Sequence, residues 1–256
     1  MNAILHSGDM GDIIYSLPSI QRLGLKKIHI NLGKRFNTLM SHQKSQVLRP
    51  LLEYLGFDTA ITSYTGEIPS QYFDGDRFRY DGSNLISVHL MEAISNSYGI
   101  DDIDYREPWI PLYDKGVYDK DYIVIFRSPR YHNIEIDYNC LLSGVLPDSY
   151  KTVFLGIPYE HRSFIQHFYR LGPSSDIIYI PTGSLLDAYK IISGSSLCIG
   201  NQTGLFSIAE ALKKPRILEA STYVPNCELK DPDEKIFYFK EANDYVGAKE
   251  HIEEYT

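Results

Sequence analysis

The sequence predicts an α/β fold made of two Rossmann-like units. Short apolar runs alternate with helix-patterned stretches along the chain, the pattern of parallel sheets with helical crossovers. The clearest run, Tyr122–Phe126 (YIVIF), is apolar throughout and suits a strand buried on both faces. Between the two series lies Glu107–Asp114 (EPWIPLYD), with two prolines and no period, which reads as a linker.

In the first series Ala3–His6 reads as a strand, Asp12–Leu23 as a helix and Lys27–Leu32 as a strand. Val47–Leu55 then reads as a helix, Thr59–Thr62 as a short strand and Leu90–Tyr98 as a helix. The polar, glycine-containing stretch Asp74–Asn84 reads as loop. In the second series strands are expected at Tyr122–Phe126, Thr152–Leu155, Ile177–Ile180, Leu197–Ile199, Arg216–Leu218 and Ile236–Phe239. Helical patterns fall at Ile136–Leu142, Glu160–Leu171, Leu185–Ser193, Leu205–Leu212 and Ala242–Tyr255. The expected boundaries are 1–115, 116–240 and a terminal helix at 241–256 that packs back on the N-terminal unit.

The 256 residues are enough for one large domain or two small ones. No apolar run approaches the ~20 residues of a membrane span. No basic region followed by a long apolar core opens the chain, so no signal peptide is expected. Cys140, Cys198 and Cys227 are widely spaced and odd in number, which fits a reducing cytoplasm better than a disulfide framework or a metal site. The net charge of −8 disfavours a sequence-independent nucleic-acid binder without excluding a local basic cleft.

In doubly wound sheets ligands sit at the carboxyl ends of strands, so the loops there carry the functional reading. Gly200-Asn201-Gln202-Thr203-Gly204 follows a strand and opens a helix, whose free N–H groups favour an anion. A tight turn with an N-cap is the plain alternative, and the ligand reading is preferred. Arg127-Ser128-Pro129-Arg130 follows YIVIF. Its arginines suit a diphosphate or, equally, a solvated turn. Gly156 and Glu160 follow another strand, where Glu160 either favours the positive helix end or bonds ribose hydroxyls. Asp74-Gly75-Asp76 and Asp231-Pro232-Asp233 read as turns rather than cation sites. His6, His89, His132 and His161 show no metal-ligand spacing. The first loop, Ser7-Gly8-Asp9-Met10-Gly11-Asp12, is acidic and hostile to phosphate.

GDMGDIIYSLPSI resembles the N-terminal signature of heptosyltransferase-like glycosyltransferases. CIGNQTGLFSIAEALKKPRI resembles their donor-site signature, and FLGIPYEHRSF the strand-glycine-glutamate element between them. The order and spacing of the three also match. The resemblance implies a GT-B architecture, two Rossmann-like domains facing across a cleft, and a metal-independent, inverting transfer. It implies no cofactor beyond a nucleotide-sugar co-substrate. Asp12 maps to the family's candidate general base, which would take the proton of an acceptor hydroxyl, and Asp9, one turn too early for the pattern, is a second candidate. A helix N-cap is the competing role of Asp12. Ser7, Gly8, Asp9 and Gly11 fall on the acceptor side. Arg127, Arg130, Gly156, Glu160, Asn201, Gln202, Thr203 and Gly204 fall on the donor side, where fixed N–H groups and arginines would stabilise the leaving nucleoside diphosphate.

Gln202 and Ser207 depart from the aspartate and histidine that relatives often carry, so donor identity is not inherited. The expected acceptor is a glycan or a lipid-linked glycan. A DNA base is the alternative acceptor, and a non-catalytic nucleotide-sugar binder the alternative function. A dinucleotide oxidoreductase fails on the missing G-x-G-x-x-G after the first strand.

Overall fold

The computed structural model describes residues 2–33, 40–80, 88–113, 121–167, 177–221, 223–224, 226–230 and 232–256. The expected boundary at 115/116, the end of the helix pattern at 168–171, the loop residues 81–84 and Asp231 lie outside them.

The first half forms β1 (Ala3–His6), α1 (Met10–Arg22), β2 (Lys27–Asn31), α2 (His42–Tyr54), β3 (Asp58–Thr62), β4 (Tyr72–Asp74) and α3 (Leu90–Ser97). The second forms β5 (Tyr122–Phe126), α4 (Tyr138–Leu142), β6 (Lys151–Gly156), α5 (Pro158–His167), β7 (Ile177–Pro181) and α6 (Leu185–Gly194). It continues with β8 (Leu197–Asn201), α7 (Gly204–Ala211), β9 (Arg216–Glu219), β10 (Ile236–Phe239) and α8 (Tyr245–Tyr255). The strands build two sheets, ordered β3-β2-β1-β4 and β10-β9-β8-β5-β6-β7, with parallel pairing throughout. The strand order reverses at β1 in the first sheet and between β5 and β8 in the second. Ligand crevices form at such switch points.

β5 shows why its sequence is apolar throughout. Tyr122, Val124 and Phe126 point into one buried cluster, Ile123 and Ile125 into another on the opposite face. The first cluster also holds Ile4, Ile13 and Ile28 of the first half and Leu205, Phe206 and Ile208 of α7. One apolar core therefore runs through both halves, with α1 packed along α7 and α2 against α6. Helix α1 is buried from Ile13 to Ile20. Pro18 inside it has no N–H to give the Ile14 carbonyl. The indole Nε1 of Trp109 donates to that carbonyl instead, at 3.2 Å.

Several expectations are corrected. The stretch at 107–113 is no free linker: Trp109 N donates to Ala211 O at 3.0 Å, and Ile110 is buried. Helix α8 packs on β10 and α4, placing Ala248 and Ile252 in the second half's outer cluster rather than back on the first half. Asp74, read as the start of a loop, ends strand β4 (Tyr72–Asp74), which no expectation covered and which pairs with β1. Its partner is already a sheet strand, so three residues suffice. Helix α2 begins five residues earlier than the apolar pattern, because Ser41 caps it by accepting from Lys44 N at 3.2 Å. Among the described residues no helix is long and apolar enough to cross a membrane.

Candidate active site

The loops after β1, β4, β5 and β8 all emerge at the two switch points, and they meet. A Cβ added to Gly204 would lie 3.4 Å from Met10 Cβ and 3.7 Å from Gly11 N. The start of α1 thus rests in van der Waals contact with the start of α7. Above this crossing opens a pocket of about 420 Å³. Its wall carries Asp9, Gly11, Asp12, Lys44 and Arg79 from the first half. Arg130, Glu160, Gln202, Thr203 and Gly204 come from the second.

The acidic loop is built around one carboxylate. Asp9, not Asp12, is the N-cap of α1, and Asp12 is the third helical residue of a capping box. Asp12 Oδ2 accepts from Asp9 N at 2.8 Å and from Arg79 Nη2. Among the described residues nothing bonds Oδ1. Gly8 is required because a Cβ there would lie 2.7 Å from Asp12 Oδ2 and 2.6 Å from His6 Cε1. Ser7, expected on the acceptor side, is fully buried under the loop. It donates its N–H to Asp76 Oδ1 at 2.9 Å, and its hydroxyl accepts from Asn31 Nδ2 at 2.9 Å. Asp76 and Asp74 thus serve the backbone of the two loops, since Asp74 Oδ1 accepts from Asp76 N at 3.0 Å. His6 Nδ1 accepts the Gly8 N–H at 3.0 Å, so it carries no proton there. Burial pushes the His6 pKa down to about 4, and its 3.4 Å approach to Asp76 is no ion pair.

The donor-side residues divide into two groups. Arg127 is buried, and its Nε and Nη2 donate to Glu219 at 2.7 and 2.8 Å. The expectation that it holds phosphate is corrected: its charge is spent on a carboxylate at the end of β9. Asn201 is likewise internal. Its Oδ1 accepts from Ser128 N at 3.0 Å, while Nδ2 donates to the carbonyls of Ser128 and Arg130 at 2.8 and 2.6 Å. It fastens the loop after β5 to that after β8. Gly200 permits the same closeness, because a Cβ there would lie 2.2 Å from Phe126 O.

Arg130, by contrast, is exposed at the pocket rim with its guanidinium 4.8 Å from the Tyr131 ring centre. Thr203 caps α7, accepting from Phe206 N at 3.2 Å, and with Gly204 it brings the N-terminal end of that helix to the pocket wall. Gln202 Nε2 donates to Asn226 Oδ1 at 2.9 Å, and its Oε1 is buried without a hydrogen-bond partner among the described residues. Ser207 is folded under the crossing, its hydroxyl donating to Gly204 O at 2.8 Å.

Glu160 Oε2 accepts from Ile157 N at 3.0 Å at the start of α5, and burial raises its pKa above the ordinary glutamate value. It stands between the main pocket and a neighbouring apolar one of about 340 Å³, which Gly156 and Phe126 help to line.

Lys44 and Arg79 are the site residues that the sequence reading missed. Lys44 Nζ lies 3.0 Å from Asp9 Oδ1 and 3.1 Å from Oδ2. Burial pushes the Asp9 pKa up, but Lys44 and the Met10 N–H outweigh it, and the carboxyl is held below its ordinary value. Arg79 follows the turn Asp74-Gly75-Asp76, which β4 brings beside the first loop. Cys227 also faces the pocket, but burial pushes its thiol up to about 12, so it is protonated and a poor nucleophile. Among the described residues no three His, Cys, Asp or Glu side chains cluster as metal ligands.

No protein-family model and no curated protein matches the chain. Solved structures do. The glycosyl transferase family 9 protein of Veillonella parvula superposes with a TM-score of 0.60 at 12% identity, over 97% of this chain and 88% of that one. The iron-containing dodecameric glycosyltransferase TibC of enterotoxigenic E. coli gives 0.60 at 12% identity, over 93% of this chain. The chain spans only 62% of the TibC length. E. coli heptosyltransferase WaaC, solved with ADP-2-deoxy-2-fluoro heptose, gives 0.57 at 13% identity over 99% of each chain. The two parallel sheets and their helices therefore have the fold of the heptosyltransferase-like glycosyltransferases.

Proposed function

We propose that the chain is a nucleotide-sugar-dependent glycosyltransferase of the GT-B kind, its two halves acting as acceptor-side and donor-side domains. The observation that carries this reading is the meeting of Asp12 and the α7 N-terminus on one pocket through the Gly11–Gly204 contact. Asp12 is the general base. Its Oδ2 is held by Asp9 N and Arg79, which leaves Oδ1 for an acceptor hydroxyl. As that hydroxyl attacks the anomeric carbon, its proton passes to Oδ1. The bond to the phosphate oxygen breaks on the far side, and a single displacement of this kind inverts the anomeric centre.

Arg130 and the N–H groups at Thr203–Leu205 face the leaving nucleoside diphosphate. They supply positive charge of the kind that a divalent cation provides in metal-dependent transferases. The neighbouring apolar pocket suits the base, with Glu160 at the ribose. The solved relatives support the reading, since WaaC was captured with an ADP-heptose analogue. The acceptor is a hydroxyl-bearing glycan or lipid-linked glycan, and the expected setting is the cytoplasm.

A thermal-shift screen of the whole chain against a nucleotide-sugar panel tests the proposal. A donor that binds only the folded state raises the melting temperature by mass action. No shift with any nucleotide sugar would sink it. Gln202 and Ser207, standing where relatives often carry an aspartate and a histidine, favour a second reading, a non-catalytic nucleotide-sugar binder. Slow hydrolysis of a bound donor would rule against that.

A further inference from the structure

Asp9 holds two cations that come from different halves of the chain. Lys44 reaches it from the first turn of α2, and Arg130 from the loop after β5, with Nη2 at 3.5 Å from Oδ2. A lysine in the first turn opposes the helix dipole. All three side chains line the main pocket beside Thr203 and Gly204. They are not locked away. The side chains of Lys44, Arg130 and Asp9 are 33%, 47% and 20% exposed, against 2% and 0% for the pair Arg127–Glu219.

We propose that Asp9 is an internal stand-in for the donor's phosphates: it holds Lys44 and Arg130 at the pocket wall, and a nucleoside diphosphate takes them from it. The inference rests on the nucleotide-sugar reading and adds a first-half residue, Lys44, to the diphosphate contacts. A diphosphate carries more negative charge than one carboxylate, and it offers guanidinium a bidentate partner. Asp9 remains satisfied after losing the cations, because Oδ1 also accepts the Met10 N–H at 2.9 Å as the cap of α1. The exchange sets a threshold: an anion must outbid a carboxylate already in place. Asp9 thus trades affinity for selectivity.

Calorimetric titration of the whole chain with ADP and UDP, using adenosine and uridine as charge-free controls, tests this. Asp9→Asn and Asp9→Ser both keep an N-cap acceptor, so the helix start survives in at least one of them. Each is expected to lower the diphosphate Kd by about two- to fivefold, the scale of one partly exposed charge pair, and to leave the nucleoside Kd unchanged. Lys44→Gln is expected to weaken diphosphate binding and to erase most of the Asp9→Asn gain in the double variant. Unchanged or weaker diphosphate binding in both Asp9 variants overturns the proposal, as does equal tightening of the nucleoside. If neither diphosphate binds the wild-type chain, the nucleotide-sugar reading falls and this one with it. Diphosphate binding that ignores Asp9 removes only the stand-in.

Discussion

Glu219→Gln separates a structural Arg127 from a ligand-binding one. Glu219 is fully buried at the end of β9. Besides the two Arg127 bonds it accepts from Tyr138 Oη at 2.8 Å and from Asn133 N at 2.5 Å. Glutamine keeps the shape, loses the charge, and turns an NH2 toward groups that are themselves donors. Arg127 keeps its charge and loses the carboxylate that both its nitrogens address. Breaking a buried pair from one side costs about 3–5 kcal/mol. At roughly 2–4 °C per kcal/mol for a chain of this size, the Tm falls by roughly 6–20 °C. Scanning calorimetry reads the loss, and a parallel ADP titration reads the consequence for binding. Arg127→Met with Glu219→Leu removes both charges and is expected to recover part of the stability. A phosphate-binding Arg127, released from Glu219, would bind ADP more tightly. Tighter ADP binding, or a loss under about 1 kcal/mol, would refute the reasoning.

Asp12→Asn is expected to nearly abolish transfer while leaving donor affinity intact; unchanged turnover in a product assay removes Asp12 from the mechanism. Gly200→Ala places a Cβ 2.2 Å from Phe126 O and is expected to cost about 1–3 kcal/mol or more, read by denaturant unfolding. A neutral result there would mean that β5 and β8 separate freely. His6 titrates near 6.5 in the unfolded chain but only at about 4 in the folded one. As pH falls through that window the unfolded state binds a proton that the folded state refuses, so stability drops. His6→Asn is expected to flatten that slope in a pH series of melting curves, and an unchanged slope would place it elsewhere. Glu160 shifts upward, so its contribution is the reverse: stability is lost as pH rises just above the ordinary glutamate range, and Glu160→Gln removes that loss.

The alternation of strands and helices was legible because buried parallel strands write continuous apolar runs, and β5 is the plainest case. The loops were legible too, because they follow those runs directly. What failed was the partner of each charge. Arg127 looks like a phosphate ligand when read beside Arg130, but its carboxylate lies on β9, far along the chain and invisible to local pattern. Asn201 reads as part of the donor-side loop, yet it ends β8 and ties two backbone segments together. Lys44 was missed because the apolar period of α2 begins only after it; a cap residue, Ser41, sets the true start. Arg79 was missed because strand β4 is only three residues long and carries no pattern to read.

The apolar core that joins both halves constrains how the pocket admits its ligands. Prising α1 from α7 would wet the buried face of both helices, from Ile13 on one to Ile208 on the other. Wide opening by hinging at the crossing therefore carries the penalty of partial unfolding. Entry and exit fall instead to the rim, where Arg130 and Lys44 stand on partly exposed stems. The floor behaves as an anvil: it is laid down once, when the chain folds, and the room for movement on ligand entry lies in the side chains and loops above it.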